Sequence, residues 1–174
     1  MKKCSKKIIL ITLTFLTLRT NAVYADVQGP NASQVLQQGI SEVGEQGITD
    51  TNYKRGLIKH IVLFRYRASV TTQEKQQVIK RFLALGNSRR NGRHYILSIE
   101  TGAQMSGEGV DQNLEQGFIV TFKSEGDRNY YVGYPIITNP AYFDPAHQEF
   151  KDFVGPLLHT PINPTGVIVF DFKL

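Results

Sequence analysis

The stretch IKHIVLFRYR, residues 58–67, limits what this chain can become more than any other. Ile58, His60, Val62, Phe64 and Tyr66 point one way at a period of two, and Lys59, Ile61, Leu63, Arg65 and Arg67 point the other. Apolar residues occur on both faces, so the strand expected here is covered on both sides. The period then changes. Thr71 and Glu74 form a capping box, Val78, Ile79, Phe82, Leu83 and Leu85 make an apolar stripe at helical spacing, and Gly86 marks its end. YILSIETG (95–102) alternates again, with Tyr95, Leu97, Ile99 and Thr101 on one face.

The pattern repeats. GFIVTFK (117–123) alternates Phe118, Val120 and Phe122, and Ser124 caps a short helix over EGDRNYYVGY that Pro135 stops. Another helix runs from Pro145 to about Gly155, and GVIVFDFK (166–173) closes the chain as a strand. The order β-α-β, β-α-β predicts an α+β fold. It is the ferredoxin-like split βαβ repeat, a four-stranded antiparallel sheet with helices on one face. The other face would expose a large apolar patch, which soluble monomers rarely do. Pairing sheet against sheet, as a dimeric α/β barrel with a cavity between the subunits, is the expected remedy.

The first 25 residues read as a signal peptide. Lys2, Lys3, Lys6 and Lys7 precede the apolar run Ile8 to Leu18, and Val23-Tyr24-Ala25 predicts cleavage before Asp26. The run is far shorter than the roughly 20 residues that span a bilayer, so stable membrane insertion is not expected after cleavage. Export to the periplasm or the exterior is. Five of the 20 basic side chains and none of the 15 acidic ones lie in this segment, so the remainder carries 15 of each. A balanced chain lacks the basic surplus that a phosphate backbone requires, and nucleic acid is not an expected partner. The single cysteine, Cys4, also leaves, excluding disulfides and thiol chemistry from the mature chain. Residues 26–56, rich in Gln, Gly, Ser, Asn and Glu, read as a polar, mobile or loosely docked lead segment, with one short helix in VLQQGISEV weakened by Gly39. The folded domain is expected over 57–174.

IKHIVLFRY, the helix opened by TTQEK, YYVGYP, DPAHQEF and the terminal VIVFDF together resemble the stress-responsive dimeric α/β-barrel (Dabb) family over about residues 57–174. The resemblance implies a homodimer with no obligatory cofactor. One family member, a plant polyketide cyclase, works inside its cavity with a histidine in the Pro-Ala-His run and a tyrosine on the preceding helix. By resemblance these are His147 and Tyr131, with Tyr130 adjacent, and a first-strand histidine lining the pocket is His60. This chain departs from that relative by inserting IITNPAYFD (136–144) between tyrosine and histidine.

The residues themselves support a site at His147. Asp144 is suited to cap a helix and Pro145 to open it, which puts His147 in the first turn. The positive end of the helix disfavours imidazolium there, and a neutral ring offers one lone pair to a proton or donor. Phe150 and Val154 place it on an apolar stripe. The same position equally suits a structural histidine bonded to a backbone carbonyl or to Asp144. His60 shares its strand face with Val62 and Phe64, the face assigned to the cavity, as a ligand contact or a satisfied core group. Asp171 faces that cavity or pairs with a basic neighbour. His94 and His159 receive no role, and no local spacing such as His-x-x-x-His points to a metal. Three functions remain open. They are a carrier of a small hydrophobic or aromatic ligand, a cofactor-free cyclase, isomerase or oxygenase, and a structural stress protein.

Overall fold

A computed structural model describes residues 30–160 and 166–174; the expected signal peptide, its expected cleavage site and Cys4 lie outside the described residues. In chain order the elements are α1 (Ala32–Ile48), β1 (Arg55–Phe64), α2 (Thr72–Ala84), a two-residue hairpin of β2 (Arg89–Arg90) and β3 (Arg93–His94), β4 (Ile96–Ala103), β5 (Gln116–Ser124), α3 (Glu125–Val132), α4 (Pro145–Val154) and β6 (Val167–Lys173). The main sheet runs β4-β5-β1-β6, antiparallel throughout, so two βαβ units interleave as a ferredoxin-like fold requires.

Caps start the helices where the residues demand. Thr71 and Glu74 close a reciprocal box on α2, and Ser124 accepts from the Asp127 amide at 3.0 Å to open α3. α2, α3 and α4 supply apolar side chains to one sheet face. There Ile58, Val62 and Phe64 of β1 and Phe118, Val120 and Phe122 of β5 are buried. Phe82 of α2 stacks on Phe118 at 3.8 Å between centroids and meets Phe150 of α4 edge-on at 5.1 Å. Burying a ring of this size contributes about 2–3 kcal/mol relative to leaving it exposed, so this aromatic layer dominates the core.

On β4 the expected alternation fails. The register shifts between Ile96 and Ser98, and Leu97 becomes the extra residue of a bulge, 54% exposed, rather than sharing a face with Tyr95 and Ile99.

The polarity of residues 26–56 predicts a mobile or loosely docked lead segment; in the described part, from residue 30 on, it forms a 17-residue docked helix. Asn31 and Gln34 cap it reciprocally, and Gly44, at φ 70°, kinks it. Gly39, costly for an isolated helix, lets Tyr53 pack close, since a Cβ there would lie 2.7 Å from the Tyr53 hydroxyl. Ile48 is fully buried, and its carbonyl accepts from Asn129 Nδ2 at 2.7 Å. Glu45 accepts from the Thr138 amide and hydroxyl and the Asn139 amide at 2.8–3.0 Å. Tertiary contacts thus override weak helix propensity. Among the described residues no helix is long and apolar enough to cross a membrane.

Candidate functional site

The site forms where α4 returns to α3 after the 133–143 excursion. The Asp144 amide donates to the Tyr130 carbonyl at 2.9 Å, joining the start of α4 to α3. Asp144 Oδ1 accepts from the Ala146 amide at 2.9 Å, and its other oxygen takes the Tyr95 hydroxyl. Pro145 is the first helical residue. His147 therefore lies in the first turn, against Tyr131. Their rings stack at 3.7 Å and 16° despite the nine residues inserted between the two segments.

His147 Nδ1 donates to the Tyr131 carbonyl at 2.5 Å, which fixes the neutral tautomer and leaves the lone pair on Nε2. Burial depresses its pKa to about 3; the bond to Tyr131 opposes this, while the charge of Lys151 and the proximity of His60 add to it. The two readings of this histidine use different nitrogens. Nδ1 is structural, and the ring also lines a cavity of about 450 Å³.

That cavity lies within one chain, between the sheet and helices α3 and α4, with His60, Val62, Phe64, His147, Phe150 and Asp171 among its walls. This corrects the expectation that His60, Val62, Phe64 and His147 face a hollow between two sheets. His60, Val62 and Phe64 point to the helix side, and a residue on α4 can reach only that side. The opposite face carries Ile61 beside Phe170, Lys59 beside Phe172 and Leu63 beside Ile168.

β1 and β6 are paired so that His60 stands opposite Asp171. His60 Nδ1 donates to Asp171 Oδ1 at 2.6 Å, and Arg128 donates to Oδ2 at 2.5 Å. Of the two expectations for Asp171 the pairing with a basic neighbour is the one seen; the cavity it borders is this one, on the helix side, and not one between subunits. Burial pushes its carboxyl up, but the bond and proximity of His60 and the Arg128 guanidinium outweigh this and hold it below the ordinary range.

Tyr131 is placed differently from the role that resemblance implies. It is fully buried, its hydroxyl has no hydrogen-bond partner among the described residues, and it is absent from the cavity wall. Burial, reinforced by Asp144, raises the phenol above its ordinary pKa. The ring backs both imidazoles, meeting His60 edge-on at 5.6 Å. Tyr130 packs edge-on to Tyr95 at 5.2 Å, also off the wall, and the tyrosine that lines the cavity is Tyr134. Sequence reasoning passed over Tyr134, Arg128 and Lys151. Lys151 stands four residues after His147 and Arg128 four before Val132, spacings that put each pair on one helix face. Among the described residues no group of three or more His, Cys, Asp or Glu side chains could hold a metal.

No protein of curated function matches the chain closely enough to lend it a role. Among solved structures, a protein from Arabidopsis thaliana shares 23% identity at a TM-score of 0.52, covering 67% of this chain and 94% of its own. A hydroxynitrile lyase from Passiflora edulis shares 17% at 0.53, covering 69% and 94%. A dimeric ferredoxin-like protein of unknown function from Jannaschia sp. CCS1 shares 14% at 0.52, covering 68% and 100%. These likenesses establish the fold. The family profile described as Stress responsive A/B Barrel Domain, or Dabb, matches residues 58–174, from the first residue of IKHIVLFRYR to the end of the chain. With both βαβ units inside that match, this chain belongs to the Dabb family.

Proposed function

We propose that this chain is an exported protein that binds a small, largely apolar ligand in the cavity between its sheet and helices α3 and α4. One observation carries the reading. An apolar cavity of about 450 Å³, within the range of small-molecule sites, contains in its wall an imidazole held neutral with its Nε2 lone pair unclaimed by Tyr131. A neutral acceptor in apolar surroundings orients a ligand hydroxyl or acid proton without the desolvation cost of a buried charge. With an imidazolium pKa of about 3, His147 is a feeble general base at neutral pH and a good acceptor.

Pairing of two copies through their bare sheet faces belongs to the same proposal. Phe170 is 61% exposed beside Ile61, and dimeric proteins occur among the structural neighbours. A second reading, cofactor-free chemistry on a carbonyl compound, is favoured by the His60–Asp171 pair, in which a carboxylate fixes an imidazole as in proton-transfer sites. The fold accommodates chemistry in at least one neighbour, the hydroxynitrile lyase.

The test is a screen of small aliphatic and aromatic compounds followed by NMR of the imidazole resonances, with wild type beside His147→Ala and Tyr131→Phe. Binding that shifts His147 and is weakened in His147→Ala but kept in Tyr131→Phe is the expected result. Ligands that bind wild type and His147→Ala equally would remove His147 from the site, and turnover of any hit would select the second reading.

A further inference from the structure

The charged groups around the cavity do not balance. Asp171 is its one carboxylate, and both oxygens are occupied, by His60 and Arg128. Lys151 also borders the cavity, half-buried on α4. Its Nζ donates to the Val132 carbonyl at 3.0 Å and the Tyr134 carbonyl at 2.6 Å, both uncharged. An ammonium has three N–H groups, so a third is left to point elsewhere. Among the described residues no carboxylate lies within salt-bridge distance of it. Asp152, next in the chain, is turned to Gln148 Nε2 at 2.9 Å.

Arg128 adds a second vacancy of the same sign. One of its five N–H donors reaches Asp171, while Nε is buried with no acceptor among the described residues. Arg128 stands one helical turn before Val132, whose carbonyl holds Lys151, and both cations line the cavity. The wall therefore carries two basic side chains against one carboxylate in a setting of Val, Phe and Leu side chains. The effect is felt at His147, where the charge of Lys151 disfavours imidazolium after burial itself. An unmatched cation in a poorly polar cavity is unfavourable, and a single bound anion would offset it.

We infer that the ligand is an organic monoanion, an acyl or aryl carboxylate that pairs with Lys151 and Arg128 while its apolar body lies against Val62, Phe64 and Val154. This rests on the cavity being a ligand site, and it adds the class of ligand. One surplus positive charge matches one carboxylate. A phosphate dianion would reverse the imbalance.

Three probes of equal length separate the classes. Octanoate, 1-octanol and octylamine are titrated into the full chain by calorimetry at one ionic strength. Octanoate binds at least ~10-fold more tightly than octanol, and octylamine most weakly, since a charge-assisted hydrogen bond is stronger than a neutral one. Lys151→Met lowers octanoate affinity ~10-fold and leaves octanol unchanged, which also reports an intact cavity; Lys151→Arg restores octanoate. Octanol binding wild type as tightly as octanoate overturns the charge assignment and leaves the ligand cavity standing. Failure of all three to bind or to shift His147 removes both.

Discussion

His147 combines two demands that oppose each other in water but not in this fold. Its Nδ1–H is held by a backbone carbonyl, a structural role, while the depressed basicity of the same ring keeps Nε2 available. The depression has a consequence for stability. The unfolded chain takes up a proton at His147 below about 6.5 and the folded chain only near 3. Within that window the unfolded state binds more protons, so stability rises with pH and is lost as pH falls. Asp171, held below the ordinary carboxylate range, adds a loss in the same direction at the acid end. Urea unfolding from pH 7 to pH 3.5 should show this decline in wild type and a flatter profile in His147→Gln. An identical slope in the two proteins would place the proton elsewhere. Residue chemistry was partly legible in the sequence. The Asp-Pro-Ala-His run by itself predicts a first-turn, neutral histidine, but which carbonyl receives Nδ1 depends on α3, sixteen residues earlier.

At the scale of elements, Asp144 holds the site together by doing three things. Its amide joins α3, one carboxylate oxygen caps α4, and the other takes the buried Tyr95 hydroxyl. Asp144→Ala loses a cap worth about 1 kcal/mol and strands a hydroxyl costing about 1–3 kcal/mol. A drop of about 2–4 kcal/mol in unfolding free energy is the expected sum, with Asp144→Asn recovering the cap, because its Oδ1 still accepts from the Ala146 amide while its Nδ2 donates to the Tyr95 oxygen instead of accepting from it. Denaturant midpoints at constant slope decide this; a loss under 1 kcal/mol in the alanine variant would mean that the cap is redundant. The starts of α2, α3 and α4 announced themselves through Thr71, Ser124 and Asp144, because capping is local. The bulge at Leu97 and the docking of α1 did not. A bulge is set by pairing to β5, and α1 is held by Glu45 and Ile48 against residues about 80 to 90 positions away. Local propensity carries no trace of either.

The whole molecule has a helix-covered face and a bare one, and the two were easily exchanged on paper. Both faces of β1 are apolar, since Ile61 and Leu63 alternate with Val62 and Phe64. On the bare side Phe170 and Phe172 stand 6.3 Å apart in the open. Phe170→Lys should give a folded monomer with the wild-type circular dichroism spectrum, while the wild type elutes as a dimer at micromolar concentration. Equal elution of the two would mean that copies pair elsewhere or not at all. Alternation and capping alone determined that there would be two βαβ units, where α2, α3 and α4 begin and which residues of β1, β5 and β6 share a face, because these depend on neighbours within a few positions. Only the tertiary structure decided which face the helices cover, and hence that the cavity belongs to one chain. It also turned the Tyr131 phenol into the core and brought Arg128 and Lys151 to the wall. Those outcomes depend on packing between segments far apart in the chain, and a period of two is the same whichever side is buried.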